Sequence, residues 1–159
     1  MRTVHKRSIL SLAAALCLAL PAAAGEADEA ELEILVATIQ ANKKALVAVN
    51  LELGDAEAKA FWPVYERYQG DLSSVRDRFV KLIEDYTENF ATMSNEKASQ
   101  IVEDFLAIER ERAEVREKYL EPFSQALPGR KVARFYQIEN KIQAVLRYEL
   151  ARKIPVIEQ

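Results

Sequence analysis

The sequence predicts an all-α protein: four helices, with a long, bent second helix folded against the third as an antiparallel hairpin. Three observations point to it. A heptad seam occupies the middle of the chain, and three further stretches carry apolar residues at helical spacing. No stretch alternates apolar and polar residues over a strand's length, and glycine occurs only four times in 159 residues. The seam is Phe61, Tyr65, Tyr68, Leu72, Val75, Phe79, Leu82 and Tyr86, in alternating steps of four and three. The positions between are mostly charged or polar, among them Glu66, Arg67, Asp71, Arg78 and Lys81. A helix over residues 56–91 would be roughly 50 Å long at about 1.5 Å per residue. A rod of that length cannot bury its own seam, so other helices must cover it. Four helices with one long member still leave seam exposed, which predicts a homodimer.

Residues 1–24 read as a signal peptide. Arg2, Lys6 and Arg7 give a positive start, Ile9 to Leu20 an apolar run, and Ala22, Ala23 and Ala24 a small-residue cleavage site. The run falls short of the roughly 20 residues a transmembrane helix needs. Cys17 follows Leu16, where a lipoprotein signal would place a small residue. Cleavage near Ala24 and export to the periplasm are therefore expected, leaving no integral membrane segment and a single domain over residues 25–159.

Removal of that segment changes the chemistry available. Nineteen of the 22 basic residues remain against all 25 acidic ones, a net charge of −6. Such a chain repels nucleic acid, and no basic stripe offsets the repulsion. His5 and Cys17, the only histidine and cysteine, leave with the segment. The remainder has no disulfide, thiol nucleophile or imidazole.

Leu32, Leu35, Val36, Ile39, Leu46 and Val49 define a first helix over Asp28–Val49. Asn50 to Gly54 breaks it, and Asp55 is the expected N-cap of the second. Pro63 lies inside the second helix, where it removes one backbone hydrogen bond and predicts a bend. Thr92 to Asn95 ends that helix. A third, capped by Ser94 or Asn95, runs to Phe123 with Ala98, Ile101, Phe105, Ile108, Val115 and Tyr119 as its seam. Its charged outer face reads as solvated, with weak intrahelical pairs. Arg112 stands at a seam position, either with its stem packed or as a cation facing a partner. After Leu127-Pro128-Gly129 a fourth helix covers Arg130–Lys153, its buried side marked by Phe135, Ile138, Ile142, Val145 and Leu146.

Two helix starts match. Leu53 is followed after seven residues by Phe61-Trp62-Pro63-Val64, and Leu127 by Phe135-Tyr136-Gln137-Ile138. In each, the Leu can tuck under the first turn while the Phe fills the core.

In this layout the chain resembles the periplasmic Spy/CpxP-like (LTxxQ) family, whose members carry a Leu-Thr-x-x-Gln motif twice, each at a helix start. The corresponding slots here are Leu53-Gly54-Asp55-Ala56-Glu57 and Leu127-Pro128-Gly129-Arg130-Lys131, which keep the Leu and replace the Thr and Gln. The resemblance covers most of the exported part and includes the Phe61 to Tyr65 continuation. It implies long bent helices in a cradle-shaped antiparallel dimer. It also implies an envelope-stress function, either as an ATP-independent chaperone or as an inhibitory partner of a sensor kinase. Metal binding through histidines, found in other relatives, does not carry over.

The residues themselves favour binding over catalysis. A di-iron site needs Glu-x-x-His, which is absent, and zinc without His or Cys would be unusual. Glu84, Asp85 and Glu88, or Glu103 and Asp104, could offer oxygens to calcium, but no EF-hand spacing is present. No cofactor is expected. Trp62, Tyr65, Arg112, Tyr136 and Tyr148 are the candidate protein-binding residues, and Leu53, Phe61, Leu127 and Phe135 the motif-like helix starts. Trp62 alternatively closes the junction between the two starts. Three readings stand: a chaperone-like holder of unfolded or envelope proteins, an accessory of the periplasmic domain of an envelope sensor kinase, and a helical module without a client.

Overall fold

The computed structural model describes residues 24–157; the expected signal peptide lies outside them, except for Ala24. The elements are α1 (Ala24–Leu51), α2 (Asp55–Asn89), a 3-10 turn (Phe90–Thr92), α3 (Asn95–Lys118), α4 (Leu120–Ala126) and α5 (Gly129–Lys153). There is no strand among the described residues. α3 and α4 are two parts of one helix interrupted at Tyr119, so the architecture is the expected four-helix one, with α2 packed along α3.

The interruption has a local cause. Pro122, the third residue of α4, has no N–H to donate to the Lys118 carbonyl, and its ring crowds that turn. Tyr119 still donates to the Val115 carbonyl at 3.3 Å and Phe123 to that of Tyr119 at 3.1 Å. Helical hydrogen bonds therefore continue on both sides of the break. The third helix drawn unbroken to Phe123 is corrected accordingly. Pro63, by contrast, sits inside α2, which continues through it.

The caps differ from expectation at one end. Gly54, not Asp55, is the N-cap of α2, and its N–H donates to Glu57 Oε2 at 2.9 Å. Ser94 caps α3, its Oγ accepting from the Lys97 N–H at 3.1 Å. α1 is followed by Glu52, whose φ of 49° places a residue with a Cβ in the left-handed region. Glu52→Gly is expected to raise stability by about 0.5–1 kcal/mol, because glycine takes that conformation without strain. The ion pair it forfeits, to Arg134 at 4.0 Å, is exposed and contributes little. Denaturant unfolding measures the change, and a lower midpoint would mean that the Glu52 side chain matters more than its backbone angle.

Successive long helices alternate in direction and meet at one end in an aromatic hub. The hub is built from Val47 and Leu51 of α1, Phe61, Val64, Tyr65 and Tyr68 of α2, Tyr119, Phe123 of α4, Leu127, and Val132 and Phe135 of α5. Phe123 and Phe135 meet at 4.5 Å between ring centroids with their planes tilted by 52°, and Phe61 meets Phe135 edge-on at 5.3 Å. Such pairs add about 0.5–1.5 kcal/mol each beyond the area they bury. A second, smaller cluster of Val75, Leu82 and Ile108 zips α2 to α3 further along, with Phe79, Ile101 and Val115 against it.

Every α2 seam residue is buried or half-buried. The other helices depart from their predicted faces at single positions or, in α1, at two. Leu46 and Val49 of α1 are exposed, and Lys43, Val47 and Leu51 face inward instead. Phe105 of α3 and Val145 of α5 are also exposed. No helix among the described residues is long and apolar enough to cross a membrane.

Candidate functional site

The two matching helix starts meet at the hub. Phe61 and Phe135 touch there, Leu127 is buried, and Leu53 is half-buried against the same cluster. Glu57 and Lys131, the fifth residues of the two slots, form an ion pair across the junction. Lys131 Nζ also donates to the Glu52 carbonyl at 3.0 Å, tying the start of α5 to the loop before α2. The Lys131 ammonium and the Gly54 N–H hold the Glu57 carboxyl below its usual range. The repeat is thus a packing unit, with opposite charges in equivalent slots.

The five candidate binding residues do not form one surface. Tyr65 is a core residue, because its seam position faces Phe61 and Phe135. Trp62 is half-buried and edge-on to Phe61 and Tyr65 at 5.0 and 5.3 Å, with the Lys44 ammonium 5.3 Å from its ring. It packs on the hub beside α1, against rings of its own helix. Tyr136 is also half-buried; its hydroxyl donates to the Arg116 carbonyl at 2.7 Å and the Arg116 guanidinium lies over its ring. Arg112 turns inward, 3.0 Å from Glu109 Oε1 and over the Phe79 ring, so the packed-stem alternative describes it. Burial pulls its pKa below the usual arginine value, opposed by Glu109. Tyr148 alone is well exposed, at 64%, and stands twelve residues beyond Tyr136, roughly 18 Å along the helix.

Two features were missed by the sequence reading. The first is an apolar strip on α3, where Val102, Phe105 and Leu106 are 56%, 40% and 54% exposed. Their i, i+3, i+4 spacing puts them on one face. Phe79 of α2 approaches the Phe105 ring at 6.4 Å and extends the strip toward the hairpin seam. Glu103 and Arg110 are charged, exposed neighbours on the same helix.

The second is a half-open cavity of about 470 Å³ lined by α1, α2, α3 and α5, beyond the hub. It lies within the range of small-molecule sites, about 300–1,000 Å³. Its floor is a buried polar cluster. Lys43 Nζ is 2.9 Å from Glu139 Oε2 and donates to Gln69 Oε1 at 3.1 Å, with side chains only 10% and 6% exposed for the ion pair. The Tyr68 hydroxyl donates to Glu139 Oε2 at 3.3 Å, and burial pushes its pKa upward, with the Glu139 charge adding to the shift. Gln69 Nε2 and Glu139 Oε1 are buried without a hydrogen-bond partner among the described residues. A buried polar atom left in that state costs about 1–3 kcal/mol. The walls away from the floor mix apolar side chains, among them Phe79, Ile83 and Leu146, with charged ones, Arg76, Asp77, Glu84, Arg112 and Arg116.

A signal for the floor existed. Lys43 lies four residues before Val47, and Glu139 four after Phe135, so opposite charges occupy core register on two helices. Among the described residues no three His, Cys, Asp or Glu side chains group as a metal site. Comparison with protein families, with curated proteins and with solved structures finds no significant match.

Proposed function

We propose that this chain is an exported, non-enzymatic binding protein that holds apolar stretches of unfolded or envelope polypeptides, in the manner of a chaperone that uses no ATP. The exposed strip of Val102, Phe105 and Leu106 carries this reading. Apolar side chains scattered singly over a surface are ordinary, whereas three on one helical face, backed by Phe79, form a surface able to take up another chain. Flanking charges keep such a surface hydrated and its grip loose, which suits release without an energy source. The lack of His and Cys after residue 24 supports a binding role over catalysis, and the segment before it supports export.

The test is light scattering of an unrelated denatured protein diluted into buffer with and without the exported chain. Suppression at equimolar ratio is expected, and the triple variant Val102→Ser, Phe105→Ser, Leu106→Ser should suppress several-fold less while keeping its helical circular dichroism. Undiminished suppression by that variant would move the surface elsewhere. No suppression by the parent chain, even in several-fold excess, would end the chaperone reading in favour of a single envelope partner such as a sensor kinase. Should the strip instead cover a second copy, as the expected homodimer would require, the variant would sediment as a smaller species than the parent.

A further inference from the structure

Away from the α3 strip, and independent of its role, we propose that the cavity between the helix pairs binds a medium-chain alkyl carboxylate, with Arg76, Arg112 and Arg116 holding its head. These three line one part of the cavity, and the protein's own carboxylates do not match them. Arg112 and Arg116, four residues apart, share a face of α3. Arg112 pairs with Glu109, which Arg147 of α5 also engages, so two guanidiniums divide one carboxylate. Arg116 donates to Asn140 Oδ1 at 2.6 Å, a neutral acceptor. Arg76 of α2 is half-buried in the lining and has no ion-pair partner among the described residues. Burial lowers the Arg112 pKa, Glu109 opposes the shift, and the like charges of Arg147 and Arg116 deepen it. An anion set among these groups would relieve that repulsion. The Phe79 ring against Arg112 and the Tyr136 ring against Arg116 fix the two planes. Each guanidinium has five N–H groups, more than these partners take up.

The acidic side chains of the lining stand apart from this cluster. Lys43 neutralises Glu139 at the floor. Asp77 and Glu84 each follow by two residues a core side chain that faces α3, Val75 and Leu82. Two residues turn a helix by about 200°, so both acids lie on the side of α2 away from α3. They are exposed to water, which screens them, whereas the three arginines are half-buried. Beyond the arginines the cavity suits an alkyl chain, with Val80 and Ile83 of α2 and Leu146 and Leu150 of α5 in its lining. From Arg76 to Thr87 that lining extends roughly 16 Å along α2 at about 1.5 Å per residue, enough for a chain of medium length.

Titration calorimetry of the intact exported chain with decanoate, decylamine and acetate tests this directly. Decanoate is expected to bind one molecule per chain, roughly tenfold more tightly than decylamine, since charge-assisted hydrogen bonds are the stronger kind. Acetate, which lacks the chain, should not bind measurably. The double variant Arg76→Gln, Arg112→Gln should weaken decanoate binding roughly tenfold while keeping its helical circular dichroism. Should that variant fail to fold, Arg76→Gln alone, which breaks no ion pair among the described residues, must show the same loss in smaller measure. Absence of decanoate binding would overturn the proposal, as would equal binding of decylamine or undiminished binding in a folded arginine variant. So would acetate binding as tight as that of decanoate. Loss of decanoate binding in the Val102→Ser, Phe105→Ser, Leu106→Ser variant would overturn it too, because the alkyl chain would then lie on the α3 strip.

Discussion

Phe61→Ala is expected to cost about 3–5 kcal/mol, the range for truncating a fully buried aromatic. Phe61 has no exposed surface and meets four rings, those of Trp62, Tyr65, Phe123 and Phe135, at 5.0 to 5.7 Å. Those partners come from α2 itself, α4 and α5. The cavity left by Ala could not collapse without moving three elements at once. Since the stability of a domain is about 5–15 kcal/mol, the loss would bring the chain close to unfolding. Phe123→Ala, with five ring partners including Phe135 at 4.5 Å, should be comparable. Val102→Ala, on the exposed face of α3, should stay within about 0.5 kcal/mol and serves as control. Urea unfolding followed by circular dichroism measures all three. A loss below about 1.5 kcal/mol at Phe61 would mean that the hub is not where the core's stability is concentrated.

The rings of α2 and α5 in the hub were legible because they obey their local patterns. The α2 seam repeats with coiled-coil spacing and is buried or half-buried throughout, and the equal offsets from Leu53 to Phe61 and from Leu127 to Phe135 anticipate two rings that touch. α1 was not legible in the same way. Apolar spacing alone sets Leu46 and Val49 inward, yet Lys43 faces inward with Val47 and Leu51, since Glu139 on α5 supplies the charge that makes its burial tolerable. A partner 96 positions away cannot be read from local periodicity. Phe105 was misplaced for a related reason. Its seam position holds only while a neighbour covers it, and although Ile101 and Ile108 on either side join the second cluster, Phe105 lies at its edge and stays 40% exposed. The cavity floor shares the difficulty, because Gln69 reads as a surface residue until Lys43 and Glu139 are brought beside it.

The Lys43–Glu139 pair is expected to give the largest non-additive effect in the protein. Lys43→Met should destabilise by about 3–5 kcal/mol, because it leaves a buried carboxylate with only the 3.3 Å hydrogen bond from Tyr68. Glu139→Leu should do the same by stranding the ammonium against the Gln69 oxygen. The double variant should recover most of both losses and could exceed the parent, since apolar replacements of buried pairs are often neutral or stabilising by about 1–4 kcal/mol. A double-mutant cycle by urea unfolding reads the coupling directly. Additive losses would show that solvent already reaches the pair, which its 10% and 6% exposure argues against. Recovery raises a sharper question, because it would mean that the pair is not retained for stability. It lies where α1 leaves the hub to run along α5, and a slip of one residue would separate the two charges. If amide hydrogen exchange along α1 speeds up in a double variant of undiminished stability, the pair fixes the register of α1 on α5 and so holds open the cavity whose floor it forms.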